Sequence, residues 1–294
     1  MSTTLLVDGN AVAYTIPIAD CVDEKDFAKR FLGRLREYAK QFTSIPKAII
    51  FFDTKTGGTW RDKIYPDYQK DRRAQRENYS DAQRDESDKR NAYLAYLKQQ
   101  IDKSKFNYLG YPHTETDDLI ALYCNYIQEE GETVVILTTD KDLFQLIREK
   151  GKKKVQVLFL IKRRLIKEEK EGKEILEKKI MLGDPSDSIP SVCKGVGPKY
   201  YPDFKTFLMK MKETETDPTN KEAAKKVSES LGIKYIASFS NYSQEQLRTN
   251  KMLVDLNTVC ENDVKDGYEK TEYIRRNLDT AKFSPYSFYN IKID

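Results

Sequence analysis

Three apolar runs in this chain each end in aspartate: Leu5-Leu6-Val7-Asp8, Ile49-Ile50-Phe51-Phe52-Asp53 and Val134-Val135-Ile136-Leu137-Thr138-Thr139-Asp140. Short apolar runs bounded by turn residues read as strands of a parallel sheet, where both faces are covered and polar alternation is lost. In open α/β sheets ligands sit outside the carboxyl ends of the strands. Three carboxylates at three such ends therefore converge on one crevice. Without a cation they repel one another and their pKa values rise. Clustered hard oxygen donors of this kind suit Mg2+ or Mn2+.

Further carboxylates extend the pattern. Glu115, Asp117 and Asp118 open a helical stretch after the turn Gly110-Tyr111-Pro112, and Glu115 and Asp118, three apart, share a helix face. Asp142 follows Asp140 by two residues, and Asp184 and Asp187 flank Pro185-Ser186 in a tight turn. Taken singly, each of the nine reads equally well as a cap or turn residue. The strand-terminal placement of Asp8, Asp53 and Asp140 together points instead to a metal site.

Composition removes competing chemistries. The single histidine, His113, rules out a multi-histidine metal site and leaves a catalytic triad little to rest on. Beside Pro112 in a turn, it reads as a bystander. Cys21, Cys124, Cys193 and Cys260 are far apart with no CxxC pair, which excludes a zinc ribbon and fits a reducing cytoplasm. No run approaches the ~20 apolar residues of a membrane span, and Met1-Ser2-Thr3 leads straight into the first strand without a signal peptide. The net charge of +4 is small, but its distribution is uneven. Arg61 to Arg76 holds six basic residues against three acidic ones, interleaved with Tyr65 and Tyr68. Lys150 to Lys179, which includes Lys162, Arg163 and Arg164, holds twelve against five. Each block alone reads as a solvated face. Two of them beside an anionic centre suit a polyanion passing the cations.

Along the chain, residues 4–8, 48–53, 106–109, 134–139 and 155–161 read as strands. Residues 27–42, 93–101, 115–130 and 142–149 read as helices, the first with Phe27, Phe31, Leu35, Tyr38 and Phe42 at helical spacing. Alternating strands and helices predict a doubly wound, mostly parallel α/β sheet over residues 1–180. Within it, residues 61–92 are too polar for core and too long for an ordinary loop, and read as a mobile insertion over the site. Residues 181–294 read as a helical subdomain, with a loop at 212–222 and an aromatic tail, Phe283 to Tyr289, that packs on its own domain or docks on a partner. Cys193-Lys194-Gly195-Val196-Gly197-Pro198-Lys199 has the form of a hairpin before a helix start, which presents backbone N–H groups to phosphate without reading sequence.

With these elements in order, the chain resembles the 5′-nuclease family: flap endonucleases, the 5′-nuclease domain of bacterial DNA polymerase I and especially the phage ribonuclease H type. The resemblance runs nearly end to end. It is carried by Leu6-Val7-Asp8-Gly9-Asn10, Phe52-Asp53 with Trp60-Arg61, Tyr68-Gln69-Lys70-Asp71-Arg72, Glu115-Thr116-Asp117-Asp118, Thr138-Thr139-Asp140-Lys141-Asp142, Gly183-Asp184-Pro185-Ser186-Asp187, Gly195-Val196-Gly197 and Asn250 to Leu256.

The resemblance implies two Mg2+ ions, replaceable by Mn2+. Asp8, Asp53, Glu115 and Asp117 hold one; Asp140, Asp142 and Asp187 hold the other, with Asp117 or Asp118 nearby and Asp184 supporting. Residues 61–92 correspond to the family's helical arch, where Arg61, Lys70 and Arg72 steer and neutralise the scissile phosphate. Tyr68, Gly195, Gly197, Lys199, Lys162, Arg163 and Arg164 contact DNA, with K+ at the hairpin. The implied activity is 5′-3′ exonuclease or flap endonuclease cleavage of branched or nicked duplexes and RNA–DNA hybrid, as in primer removal. A single-strand-binding or clamp protein is the expected protein partner, and the expected state is a monomer in the cytoplasm, that of a bacterial host if the chain is phage-encoded. One departure matters: where the family carries Lys directly after the arch Tyr, this chain has Gln69, with Lys70 and Arg72 next. Either Lys70 takes the role by a one-residue shift or the basic contact is weaker. The rival reading is a branched-DNA-binding protein that has lost catalysis; nine carboxylates beside a phosphate serve no pure binder. A small-substrate phosphohydrolase is a further rival, but it leaves the basic insertion and the hairpin unexplained.

Overall fold

The computed structural model describes residues 2–42, 47–54, 58–103, 108–151, 153–233, 239, 241–263, 266–280 and 293. The aromatic tail lies outside them, as do residues 106–107 of the third expected strand.

Seven strands form one mixed sheet: β1 (Ser2–Asp8), β2 (Lys47–Phe51), β3 (Tyr108–Leu109), β4 (Glu132–Thr138), β5 (Arg148–Lys150), β6 (Lys153–Phe159) and β7 (Arg164–Ile166). Their order is β3-β2-β1-β4-β6-β5, with β7 on β6 beside β5. The pairs β2·β3, β1·β2, β1·β4 and β4·β6 are parallel, while β5 and β7 run antiparallel to β6. This is the expected α/β sheet. The central strands are apolar on both faces because both are covered: Leu5, Leu6, Ile49, Ile50, Val135, Ile136 and Leu137 are all buried. The helix Glu24–Ala39 lays Phe27, Phe31, Leu35 and Tyr38 into the core on one face, with Asp23 capping its start.

The chain divides into two compact units that interleave. One comprises Met1–Trp60, Asn78–Lys173 and Leu256–Asp294; the other, Arg61–Glu77 and Glu174–Asp255. The first holds the sheet. The second is helical, built on Tyr201–Glu213, Lys221–Ser230 and Gln244–Val254 around Val192, Phe204, Phe207, Met211 and Phe239.

Two local readings are corrected. Residues 142–149 are not a helix: Asp142–Leu146 is a single 3-10 turn, after which the chain enters β5. The spacing of Leu143, Phe144 and Leu146 fits either form, and all three are buried. The helix read over 115–130 ends at Leu122 and continues only as a π turn, Tyr123–Ile127. The charged stretch 61–92, expected as a helical arch, is largely helical: Trp60–Ile64, Lys70–Glu77 and the first half of Asp81–Lys103. Its few apolar residues are used in packing, since Tyr68, with Ile64 and Tyr65 against it, shares a cluster with Ile189, Leu253 and Val254.

Candidate metal centre

The parallel register sets the carboxyl ends of β1, β2 and β4 side by side, with Asp8 closing β1, Asp53 two residues beyond β2 and Asp140 two beyond β4. Gly9 makes the approach possible. A Cβ there would stand 2.7 Å from the Phe51 carbonyl oxygen and 2.5 Å from the Phe52 ring. Asp8 is buried and caps the helix Gly9–Tyr14 by accepting a 2.9 Å hydrogen bond from the Ala11 N–H. Its other oxygen accepts 2.8 Å from the Thr138 hydroxyl, which in turn accepts 2.9 Å from the Asp140 N–H. Thr138 thus ties two of the three strand-end aspartates together.

Thr116 ties in the third. Asp53 Oδ1 accepts from the Thr116 N–H at 2.7 Å and from its hydroxyl at 2.8 Å. Thr116 begins the helix Thr116–Leu122, with Glu115 at the N-cap and Asp117 and Asp118 in the first turn. Glu115, Asp117 and Asp118 each offer a carboxylate oxygen within 4.8 Å of the others. Three acidic groups at a helix N-terminus gain from the dipole, though not enough to cancel their mutual repulsion at that range. Asp118 is 1% exposed, and its Oδ2 accepts 2.9 Å from the Trp60 indole N–H. Asp142 opens the 3-10 turn, its N–H donating 2.8 Å to Asp140 Oδ1.

The electrostatics carry the mark of an uncompensated anionic site. Burial, with repulsion from Asp53 and Asp140 added, pushes Asp8 up to about 7 against the pull of its two hydrogen bonds. Asp8 therefore stays protonated in the folded, metal-free protein up to near neutrality, while the unfolded chain loses the proton around pH 4. The folded state binds more protons between those values, so the contribution of Asp8 to metal-free stability is fully present below about pH 4 and is lost as pH rises toward 7. The expected loss is about 4 kcal/mol from this residue. Denaturant melts in EDTA at pH 4.5 and 7.5 should show it in the wild type and not in Asp8→Asn; equal pH slopes would refute it.

In the helical unit, Gly183, with φ +72° and the Ile189 carbonyl 2.2 Å from where a Cβ would stand, admits only glycine and starts the turn Pro185–Asp187. Asp184 caps this turn. Burial raises its carboxyl, but hydrogen bonds from Lys179 and Ser186 outweigh that and leave it below the usual carboxylate range. Asp184 is thus already neutralised by Lys179. Asp187 pairs with Arg72, whose guanidinium stands 3.3 Å from Oδ1, yet burial raises its pKa and that buried oxygen accepts no aligned hydrogen bond.

The basic candidates separate by exposure. Arg61 is 3% exposed, donates 2.9 Å to the Leu253 carbonyl and lies over the Tyr68 ring at 5.9 Å. It braces the helical unit and does not present its charge to solvent. Tyr68, read as a DNA contact, is likewise a core residue. Lys70 begins the helix Lys70–Glu77 in the open, its Nζ 3.4 Å from Asp67, and Arg72 is half exposed beside Asp187. Lys162 and Arg163 are exposed in the turn beyond the carboxyl end of β6, and Arg164 pairs with Glu171 at 2.6 Å. Gly195, with φ +91°, and Gly197 flank a buried Val196 that anchors the hairpin in the helical core; Lys199 is exposed over the Tyr200 ring. His113 is exposed and Nδ1 meets the Gly58 carbonyl.

Trp60, Thr116 and Thr138 are the site residues that the sequence reading did not assign. The signal for the threonines was their position, each one or two residues before an acidic group at an element end. No signal pairs Trp60 with Asp118, 58 residues away.

A mostly parallel sheet with clustered carboxylates at its carboxyl edge, Asp8 and Asp118 among them buried, defines a class of acidic-centre α/β protein, and known proteins narrow it. Residues 3–180 match the family described as 5′-3′ exonuclease, N-terminal resolvase-like domain. The chain belongs to the 5′-3′ exonuclease family. It is 30% identical over 211 residues to the thermostable DNA polymerase I of Thermus thermophilus, spanning 66% of this chain and 23% of that one. It is 27% identical over 202 residues to a 5′-3′ exonuclease of Buchnera aphidicola, spanning 65% of each. The match thus covers about a quarter of the polymerase and less than two thirds of the exonuclease. Among solved structures, the T5 D15 protein co-crystallised with metal ions shares the fold, with a TM-score of 0.71 at 19% identity, over 96% of this chain and all of that one.

Proposed function

We propose that the protein is a divalent-metal-dependent 5′-nuclease that hydrolyses phosphodiesters at the 5′ ends of branched or nicked duplexes, including RNA hybridised to DNA. The observation that carries this reading is the buried Asp8, held up to about 7 beside Asp53 and Asp140 at three neighbouring strand ends. A folded protein keeps such a group only where something else offsets it, and a hard cation does so with the oxygen donors present.

Asp8, Asp53, Glu115, Asp117, Asp118, Asp140 and Asp142 are the proposed holders of two Mg2+ ions, with Mn2+ as substitute; Asp187 is a further ligand and Asp184 sets its turn. When bound, the paired ions supply charge stabilisation for the attacking and leaving oxygens of the phosphodiester. The chain's own part is positional. Thr138 and Thr116 fix the rotamers of Asp8 and Asp53, and the exposed Lys70 and the Arg72 guanidinium bring positive charge to phosphate oxygens. Gly195, Gly197 and Lys199, with K+ at the hairpin, are proposed to hold duplex phosphates, and Lys162, Arg163 and Arg164 to steer the strand by long-range attraction. In functional terms residues 1–180 form the nuclease core and 181–294 the DNA-binding part. A single-strand-binding or clamp protein is the proposed partner, and the cytoplasm the proposed site of action. Among the described residues no helix is long and apolar enough to cross a membrane.

The test is incubation of a 5′-labelled flap DNA with the protein in Mg2+ or in EDTA. Short 5′ products in Mg2+ alone are expected. Binding without cleavage in both would establish the inactive structure-binding reading, and release of phosphate from small monoesters with no action on the flap would establish the small-substrate one.

Duplex grip has its own test. A Cβ at Gly197 meets nothing within 4 Å, so Gly197→Val should fold, whereas Gly195 needs its left-handed backbone. The added side chain should keep the hairpin backbone from phosphate and weaken flap binding about tenfold, as for one or two lost hydrogen bonds to a charged group. The loss should be the same for different sequences with one branch geometry. A sequence-dependent loss would indicate base readout.

A further inference from the structure

We propose that Trp60 is a positioning residue for the metal centre: its indole N–H fixes the Asp118 carboxylate in the orientation that binds a cation. The inference rests on the reading of Glu115, Asp117 and Asp118 as metal holders. Trp60 is 4% exposed and Asp118 1%, so neither is held in place by solvent, and the 2.9 Å bond between them is shielded from competing water. The contact is also long-range, with 58 residues between the partners.

The chemistry of the pair favours orientation over any direct role. An indole N–H donates only; it cannot ligate a cation, and it carries no charge to neutralise the carboxylate. A carboxylate has lone pairs to spare beyond the one that Oδ2 gives to the indole. The bond therefore sets the rotation of the Asp118 carboxylate without using up its negative charge, in contrast to Asp184, whose charge Lys179 already neutralises. Glu115 sits at the N-cap and Asp117 Oδ1 accepts 2.8 Å from the Asp118 N–H, while the Asp118 carboxylate accepts from the Trp60 indole. The backbone of Trp60 is itself set by its neighbour, because Arg61 is buried and bound to the Leu253 carbonyl. Partners that orient ligating carboxylates contribute about 10–100-fold in metal affinity.

Trp60 is the single tryptophan of the chain, so its fluorescence is an unambiguous reporter of the cluster. The experiment is calorimetric Mn2+ titration, without DNA, of the wild type, Trp60→Phe, and protein carrying 3-benzothienylalanine at position 60, with the wild-type tryptophan emission followed in parallel. The benzothienyl group keeps the shape of the indole and lacks the N–H, which separates the hydrogen bond from packing. Both variants should bind Mn2+ about 10–100-fold more weakly at one site, and wild-type emission should change with the same midpoint as the heat. Asp118→Asn with Trp60 intact should lose the emission change. If the wild type binds Mn2+ and the benzothienyl protein binds it equally well, the inference fails and the nuclease reading stands. If the wild type binds no Mn2+, both fail.

Discussion

Asp8→Asn is expected to abolish Mg2+-dependent flap cleavage, by at least about 10³-fold, while flap-DNA binding stays intact or tightens. The variant is nearly isosteric. The asparagine carbonyl can still accept from the Ala11 N–H, so the cap on Gly9–Tyr14 survives. What is lost is a formal charge among Asp53 and Asp140. In the metal-free protein this relieves repulsion and the burial of a carboxylate, so folding at neutral pH should be no weaker. Toward DNA it removes a negative group near a phosphate, hence the tighter binding. Toward metal it removes a ligand charge for which an amide oxygen is a poor replacement. Asp140→Asn should behave alike, with a smaller effect on folding because Asp140 is exposed. The measurements are single-turnover cleavage of one flap substrate in Mg2+, its binding in EDTA, and a thermal melt. A folded variant that loses binding together with cleavage would remove these residues from the metal centre and make them part of the DNA grip.

How much of this centre could be read in advance depends on the range of the interaction that builds each part. Asp8, Asp53 and Asp140 were legible because a buried parallel strand writes its own signal, an apolar run of fixed length, and the aspartate marks where the run leaves the sheet. The N-terminal cluster Glu115, Asp117 and Asp118 was legible for the same local reason, since capping chemistry lies within four residues. The bridges are different. Thr138 to Asp8 spans 130 residues and Thr116 to Asp53 spans 63, and nothing in either segment specifies its partner. The segment after Asp140 misled because Leu143, Phe144, Leu146 and Ile147 satisfy a helical face, a 3-10 turn and a strand entry alike. The polar stretch 61–92 is helical as expected, but its composition hides the burial of Arg61 and Tyr68 against Leu253 and Ile189, contacts closed over more than 100 residues of chain. The two compact units interleave along the chain in the same way, with 61–77 joining 174–255.

The absence of lysine at position 69 leaves the largest open question about transition-state charge, and the geometry now makes it answerable. Gln69 adopts φ +55°, and its N–H donates 2.8 Å to the Asp187 carbonyl, so the backbone here is pinned to the acidic turn. Its side chain is turned back on the Tyr68 hydroxyl at 3.2 Å. Lys70, one residue on, begins the helix Lys70–Glu77 and makes an exposed pair with Asp67, a contact of little worth in water. Arg72, with its guanidinium 3.3 Å from Asp187, is partly committed to that carboxylate. Lys70 is therefore the cation best able to move to a phosphate. Lys70→Ala is expected to lower the single-turnover rate by about 10²-fold or more at saturating enzyme, as for a preorganised charge that acts on the transition state. A residue that only steers DNA would instead show its loss in affinity, shrinking as salt is added. Gln69→Lys should partly rescue Lys70→Ala, because both positions lie at the start of one helix and lysine tolerates the left-handed backbone no worse than glutamine. The measurement is single-turnover cleavage of one flap substrate by the two single variants and the double at two salt concentrations. A Lys70→Ala enzyme with wild-type rate and affinity would exclude both roles for Lys70. The charge would then have to come from Arg72, since Arg61 is held inside the helical unit.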